Sequence, residues 1–403
     1  MSFRISTASL ARATLSDMTQ RQQAIAEVRE QIASGKRINR PSDDPAQAAQ
    51  LRELDTARSR LTQYERNAAM AQTRLAIEES TLGSMGDTLN RIRELTVQAA
   101  NDSNGQTERE AIAVEIEGRL RGLYELANVR DAGGDALFAG SRGAATPFSQ
   151  PAPGDTLALY AGDDVERHIS LGAERSVVSA HTGGKAFLRI AAGNGDFVIQ
   201  PAATNAGTGR VDAGHLVDGA AWTGSDHTIT FISPTRFDIT TAGGAVVLAG
   251  ASYEPGAGIE FAGVRVAIEG EPSVGDTFEL TAGAERDLFG RVADLIDTLR
   301  APADTDAQRA VQQQGMQSGL TALDGAMEHL GALRAESGMR LQTVDASREE
   351  SGALALQLDT TLASMRDADL TETIVRLESE TRALEVLQKA HARLSGISVL
   401  DYL

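Results

Sequence analysis

Two pairs of adjacent aspartates are the residues best suited to acid–base chemistry in this sequence, Asp43-Asp44 and Asp163-Asp164. General acid–base catalysis needs carboxyl groups that converge in a pocket. Asp43 and Asp44 instead stand directly before Pro45, where a helix is expected to begin. Acidic side chains at a helix start accept hydrogen bonds from free backbone N–H groups and favour the helix dipole. The first pair is therefore predicted to cap a helix.

The other residue types that serve catalysis or ligand binding are scattered. The chain has no cysteine and no HExxH motif, so no zinc site is expected. Gly183-Gly184-Lys185-Ala186 lacks the upstream glycine and the following Ser or Thr of a phosphate loop. Asn194-Gly195-Asp196 is better explained as a hairpin turn than as a calcium loop. We expect no enzyme activity, no metal and no cofactor. The six histidines are His168, His181, His215, His227, His329 and His391.

Charge and composition exclude several classes of partner. The net charge is −18, and arginines alternate with acids, as in Arg52-Glu53, so neither nucleic acid nor an anionic membrane is an expected partner. Aromatic residues make up only 4% of the chain, which disfavours a ring-lined pocket. No apolar run reaches the ~18 residues of a membrane span. The first residues lack the pattern of a Sec signal peptide, so any export is expected to use another route.

A helix is predicted from Ser6 to Ser34, ending at Gly35 as a C′ residue. A loop follows, and Asp44 with Pro45 reads as the N-cap and first residue of the next helix. The apolar stripe of the first helix consists of Leu10, Leu15, Met18, Ile25, Val28 and Ile32.

The second predicted helix runs from Pro45 to about Asn101, with Leu and Ala at alternating spacings of three and four that indicate a rod-like bundle. Glu78 interrupts this pattern and Gly83 and Gly86 follow it, so a kink or irregular packing is expected there. A third helix is expected to about Asn128, with Thr107 and Glu110 as a capping box.

The middle of the chain, residues 141–285, is predicted to be β-rich because it holds most of the glycines and short β-branched runs. The clearest expected pair joins a single bulged strand, Ile259–Ile268, to Thr277–Leu280. Other candidate strands are Leu157–Tyr160, His168–Leu171, Ala186–Ala191, Phe197–Gln200, Thr228–Ile232, Arg236–Thr240 and Val246–Leu248.

The last part returns to helix. A helix is expected over Asp287–Leu299, and a long one follows Pro302 up to a hinge at Asp367–Asp369. The final helix is expected to pack His391 near its apolar stripe. That stripe consists of Leu370, Ile374, Leu377, Leu384, Leu387, Leu394 and Ile397.

The stripes at the two chain ends match in length and spacing, so we expect the first and last helices to pair. A two-helix coil of this size is marginal by itself. Its order is therefore expected to increase when copies of the chain pack together, although an ordinary intramolecular coiled coil is the alternative. The fold class is mainly α with an inserted β domain: paired terminal coiled-coil helices, a rod-like helical bundle and an outer β-rich domain.

Several motifs together resemble the flagellin superfamily of bacterial flagellar axial proteins. Ser34 to Pro45 resembles its N-terminal signature, and we call residues 34–45 the signature loop. Leu137-Phe138-Ala139-Gly140 is similar to the entry into its outer domain, and residues 270–278 are similar to its returning hairpin. The expected signature residues are Gly35, Arg37, Asn39, Pro41, Asp43, Asp44 and Pro45.

The resemblance implies a structural subunit and three domains. These are a terminal assembly domain (1–40 plus 367–403), a helical rod domain (41–140 plus 286–366) and an outer β-rich domain (141–285). It further implies a ring of copies at the junction of hook and filament, with the other hook–filament junction protein and flagellin as neighbours. Unfolded export by the flagellar type III system is implied too, with a cytoplasmic chaperone on the C-terminal helix.

Two alternatives stay open from the sequence. One is the filament subunit, flagellin itself, which a junction protein would differ from in copy number. The other is an enzyme or adhesin carried on the β domain, which would need a pocket of converging polar groups or an aromatic sugar-binding face. Trp222 and Tyr253 are the only residues that hint at such a face.

Overall fold

The computed structural model describes residues 7–101, 103–150 and 159–395. The chain divides into two compact units, one formed by Met1–Arg66 with Ser347–Leu403 and the other by Asn67–Ala346. The helices are α1 (Thr7–Ser34), α2 (Pro45–Ala99), α3 (Gln106–Ala127), α4 (Leu288–Arg300), α5 (Asp306–Arg366) and α6 (Leu370–Ser395). Helices α2 and α5 contribute residues to both units.

The first unit is built around the pairing of α1 with α6, as the matching apolar stripes predicted. The two helices are antiparallel, because Lys36 forms a β-bridge with Asp367 at one end and Arg21 pairs with Glu380 at 2.6 Å further along. Among the described residues of this unit, few side chains are buried for its length. They are Ile25, Val28, Ala48, Leu51, Ser347, Leu362 and Thr373.

The second unit has a helical core formed by α3, α4 and the parts of α2 and α5 that lie between Asn67 and Ala346. Helix α4 lies close to α5 because Gly315 and Gly319 leave room for it: a Cβ on Gly315 would lie 2.6 Å from Thr298 Cγ2. The wholly buried side chains of this core include Leu82, Met85, Leu89, Ile92, Leu123, Phe289, Leu299 and Leu323.

The β-rich part of the second unit has its own apolar core. The strands are β1 (Phe148–Ser149), β2 (Leu159–Tyr160), β3 (His168–Ser170), β4 (Ser176–Val178), β5 (Ile190–Ala191), β6 (Phe197–Pro201), β7 (Arg210–Val211), β8 (His215–Leu216), β9 (His227–Ser233), β10 (Arg236–Thr241), β11 (Val246–Ser252), β12 (Gly258–Phe261), β13 (Val264–Glu269), β14 (Thr277–Ala282) and β15 (Glu285–Arg286). The main sheet has the order β11-β10-β9-β14-β6, and β12-β13-β7 form a second sheet. Phe197, Ile229, Phe231, Ile268 and Phe278 are buried between them.

The predicted bulged strand Ile259–Ile268 is wrong, because this segment is a tight hairpin. Phe261 pairs with Val264, so only Ala262 and Gly263 form the turn. Both have positive φ, 46° and 82°, as the turn of a two-residue hairpin requires. The predicted pairing with Thr277–Leu280 is also wrong, since β14 lies between β9 and β6.

Two further local predictions are corrected by the structure. The expected strand Ala186–Ala191 begins instead as a π-helical turn, Gly184–Leu188, and only its end forms β5. The expected capping box of Thr107 and Glu110 does not form, because α3 starts two residues earlier, with Gly105 as N-cap and no side-chain cap. Of the strand predicted at Leu157–Tyr160, the first two residues lie outside the described part of the chain.

The kink expected near Glu78 is absent, since α2 is one continuous helix through Glu78, Gly83 and Gly86. The irregularity lies in the packing, because the Glu78 carboxylate is fully buried and hydrogen-bonded. The mainly α fold with an inserted β region is confirmed. The finer three-domain boundaries stay a prediction.

Candidate assembly surface of the terminal helices

The predicted interface residues of α1 and α6 divide into three groups by exposure. Ile25 and Val28 are buried, whereas Leu15 and Ile374 are about half exposed. Met18, Ile32, Leu377, Leu384 and Leu387 are partly covered. The side chains of Leu10 and Leu394, and the whole of Ile397, lie outside the described part of the chain.

Further apolar side chains on this unit are exposed, and most of them lie outside the predicted stripes. Val375 and Val386 are 63% and 64% exposed and lie about three helical turns apart on α6, hence on one face. Leu354, Leu356 and Leu370 are also exposed. Leu370 belongs to the predicted stripe of the last helix, whereas Val375, Val386, Leu354 and Leu356 lie outside the predicted stripes. The only sequence signal for these four was their apolar character on otherwise polar helices. We call Leu354, Leu356, Leu370, Ile374, Val375 and Val386 the outer apolar set.

The start of the signature loop is fastened to the connection between α5 and α6. Gly35 has φ +69°, as predicted for the residue that ends α1, and its carbonyl accepts the Ala368 N–H at 2.9 Å. The Arg37 N–H donates to the Arg366 carbonyl at 2.7 Å. The Arg37 guanidinium donates to the Met365 carbonyl at 2.9 Å and to Gln47 Oε1. Arg37 therefore joins three segments of the first unit.

The second half of the signature loop is organised by its two aspartates. Asp43 Oδ2 accepts the backbone N–H groups of Asn39 at 3.0 Å and Arg40 at 2.8 Å. The bond from Arg40 is the main cause that lowers the pKa of Asp43, against a smaller opposing effect of burial. Asp44 Oδ1 accepts the Gln47 N–H at 3.0 Å, which confirms the predicted N-cap.

The remaining loop residues hold the turn. Pro45 is the first residue of α2, Pro41 is exposed, and Asn39 Nδ2 donates to the Lys36 carbonyl. The predicted loop residues thus act together in one turn between α1 and α2, and this turn contacts the α5–α6 connection.

The residues that could carry chemistry have structural roles where they are described. Asp163 accepts the Ser141 hydroxyl and N–H, which lowers its pKa. Within residues 7–101, 103–150 and 159–395, no three His, Asp or Glu side chains cluster as a metal site would require. No helix in this part of the chain is long and apolar enough to cross a membrane.

The two aromatic residues that hinted at a carbohydrate face belong to the β core. Trp222 is partly covered and packs against Phe197, with ring centres 5.8 Å apart. Tyr253 is buried, and its hydroxyl donates to the carbonyls of Ile268 and Gly270. Neither ring is presented as an open stacking platform.

Comparisons with known proteins agree with this architecture. The model of the bacterial flagellin N-terminal helical region matches residues 5–142. Flagellar hook-associated protein 3 of Salmonella typhimurium is 31% identical over 187 residues, which are 46% of this chain and 57% of the relative. The Escherichia coli protein of that name is 33% identical over 158 residues, 39% of this chain and 48% of the relative. The chain thus spans about half the length of these relatives.

A comparison with solved structures gives a match over a larger share of the chain. The crystal structure of Xanthomonas campestris FlgL is 30% identical, with a TM-score of 0.72, and the match covers 77% of this chain and 99% of that chain.

Proposed function

Since the chain belongs to the flagellin superfamily, in its hook-associated protein 3 branch, we propose that it is a structural subunit of the bacterial flagellum at the hook–filament junction. It is a structural protein and not an enzyme. The observation that carries the assembly role is the α1–α6 pair, which buries few side chains and leaves the outer apolar set exposed.

The proposed assembly is a ring of copies between the other hook–filament junction protein and flagellin. Copies with a net charge of −18 repel one another at long range, so attraction must come from local contacts. The outer apolar set supplies uncharged surface for such contacts in the first unit. Because the α1–α6 pair has a thin core, we propose that it becomes more ordered when copies pack around it.

We further propose that the chain leaves the cytoplasm unfolded, through the flagellar type III system. A chain without cysteine has no disulfide that could block threading. The exposed valines of α6 would give a cytoplasmic chaperone an apolar helix face to hold before export, since an amphipathic helix binds by its apolar face.

A deletion strain tests the proposed place in the flagellum. We expect it to assemble hooks, to lack filaments and to release flagellin into the medium, because the filament would have no base to start from. Normal filaments in this strain would contradict the junction role. Quantifying the protein in purified flagella separates the alternative of a filament subunit, which would be present all along the filament and not in the amount of one ring.

A further inference from the structure

Two asparagines in the chain are followed directly by glycine, in Asn104-Gly105 and Asn194-Gly195. In such a pair the backbone nitrogen of the glycine can attack the side-chain Cγ of the asparagine and expel ammonia. Glycine permits this attack best, because it has no Cβ in the way and its backbone dihedrals are free. Hydrogen bonds that fix the amide group or the attacking nitrogen prevent the approach. The structure therefore decides whether each pair reacts.

The Asn194 side chain is fixed by four hydrogen bonds in the turn between β5 and β6. Its Oδ1 accepts the backbone N–H groups of Asp196 at 3.0 Å and Phe197 at 2.9 Å. Its Nδ2 donates to the carbonyls of Ala213 at 3.1 Å and Gly214 at 3.2 Å. The Asn194 Cγ therefore cannot turn toward the next residue without breaking several of these bonds.

The attacking nitrogen of this pair is bonded as well. The Gly195 N–H donates to the Ala192 carbonyl at 3.2 Å. Phe197, whose N–H holds the Asn194 side chain, is 0% exposed in the core of the β region. Release of the amide group thus requires local opening of a turn that is anchored in that core.

Asn104 lies in the loop between α2 and α3, where fewer contacts hold the amide group. Gly105 is exposed, and Asn104 is partly covered. Nδ2 of Asn104 donates one hydrogen bond, to the Gln98 carbonyl at 2.6 Å. Within residues 7–101, 103–150 and 159–395, neither Oδ1 of Asn104 nor the Gly105 N–H has a hydrogen-bond partner. One hydrogen bond of the side chain must therefore break before Cγ can meet the Gly105 nitrogen.

A nearby cation favours the attack at Asn104. Arg109 Nη2 donates to the backbone carbonyl of Asn104 at 2.6 Å. This carbonyl belongs to the same peptide group as the Gly105 nitrogen. The nitrogen must lose its proton to attack, and a positive charge beside the peptide group stabilises the deprotonated form.

We propose that Asn104 is a site of spontaneous deamidation in the folded protein, whereas Asn194 is protected. The Gly105 nitrogen gives its proton to solvent and forms a bond to Cγ of Asn104. The bond between Cγ and Nδ2 breaks, and the amide nitrogen takes up a proton from water and leaves as ammonia. Water then opens the resulting succinimide at either carbonyl. The products are aspartate and isoaspartate, and nothing is oxidised or reduced.

Either product changes the corner between α2 and α3. A carboxylate cannot donate to the Gln98 carbonyl, so the hydrogen bond that ties the Asn104 side chain to the end of α2 is lost. Isoaspartate also lengthens the main chain before Gly105, the N-cap of α3. It turns the carbonyl that Arg109 holds into a free carboxylate, and Arg109 also contacts Gln312 of α5. The corner therefore loosens as the protein ages.

The test follows the loss of ammonia at both asparagines in the full-length protein. Folded protein, and protein unfolded in guanidinium chloride, are incubated in the same mildly alkaline buffer, and their peptides are compared by mass spectrometry with fragmentation. When unfolded, both asparagines should react at similar rates. When folded, Asn104 should still react, whereas Asn194 should react at least about tenfold more slowly, the protection expected from about two net hydrogen bonds. Equal protection of the two asparagines by folding would overturn the proposal.

Gly105→Ala tests the route of the reaction. A Cβ at this position would lie 2.8 Å from Glu108 Oε2, the end of a flexible, exposed side chain that can move aside. We expect the variant to stay folded by circular dichroism and to lose ammonia at Asn104 several times more slowly, because the methyl group hinders the attack. Gly118→Ala, in α3 with open space at its Cβ position, is the matched control and should leave the rate unchanged. An unchanged rate in Gly105→Ala would show that the Gly105 nitrogen is not the attacking atom.

Discussion

At the scale of single residues, Asp43 shows how one carboxylate organises the signature loop. Its Oδ2 accepts two backbone N–H groups, from Asn39 and Arg40, and these bonds favour the ionised form. The lowered pKa means that the ionised carboxylate stabilises the loop above the ordinary pKa of ~3.9. This stabilisation is lost as the pH falls through the lowered pKa.

We therefore predict that the amide proton shifts of Asn39 and Arg40 titrate together in acid, with a midpoint below ~3.9, because they report the charge of Asp43. NMR titration of the full chain measures this directly. In Asp43→Asn the titration should disappear, because the amide carries no charge. Asp44→Asn is the matched control, since asparagine is an equally good N-cap and should leave both shifts unchanged. A titration that survives in Asp43→Asn would assign it to another group.

The same scale shows which residues could be read from the sequence. The capping role of Asp44 was predictable because its partner, Gln47, lies three residues away. The role of Glu78 was not, because its partners lie 103 and 259 residues away in the chain. In the heptad pattern such a residue appears only as an interruption. The interruption indicates irregular packing, but it does not identify the hydrogen-bond partners of the buried side chain.

At the scale of elements, the close packing of α4 on α5 depends on glycine. A Cβ on Gly315 would lie 2.6 Å from Thr298 Cγ2, and Thr298 is held by a hydrogen bond from its hydroxyl to the Asp294 carbonyl. A β-branched side chain that is fixed in this way has little freedom to move aside. Gly325 lies in the same helix with open space at its Cβ position.

We predict that Gly315→Ala destabilises the second unit by about 1–3 kcal/mol through overpacking, despite the better helix propensity of alanine. Gly325→Ala is the matched control and should stabilise by up to about 1 kcal/mol, because only the propensity changes. Midpoints of urea unfolding measure both changes. Equal stabilisation by the two substitutions would show that the Thr298 side chain moves aside for the added methyl group and that the contact between α4 and α5 does not require glycine.

Elements also differ in how much their sequences reveal. The helices were predictable because an apolar stripe repeats within one segment, so α2 and α5 were found with nearly their observed limits. The segment from Ile259 to Ile268 alternates on both sides of Ala262-Gly263, and this pattern fits one bulged strand as well as a hairpin. The deciding fact is the positive φ of Ala262, which alanine seldom adopts and which therefore left no clear turn signal.

At the scale of the whole molecule, the sheet order was beyond the sequence because it depends on pairing between distant strands. β14 lies between β9 and β6, and no local pattern specifies these neighbours. The arrangement of helical ends around a β-rich middle could be predicted from the sequence, since the ends carry amphipathic helical patterns and the middle carries short strand patterns. Whether one part of the chain can fold without another depends on whether the two parts contribute residues to the same core.

The three apolar cores that pack around α2–α5 and the β region contain only residues between Ala68 and Val344. None comes from α6. We therefore predict that removal of residues 370–403 leaves the 67–346 unit folded, with an unchanged unfolding midpoint for this unit, while the protein no longer assembles into flagella. Circular dichroism with urea and a motility assay measure the two outcomes.

A double substitution separates loss of the surface from loss of the helix pair. Val375→Asp with Val386→Asp changes exposed positions of the outer apolar set, so α1 and α6 should remain paired while assembly fails. Ile25→Asp with Val28→Asp places charges at buried positions and should break the pair itself, which amide exchange in α1 would detect. If the valine variant swims normally, the outer apolar set is not the assembly surface. If the truncated chain unfolds throughout, the second unit depends on the chain ends.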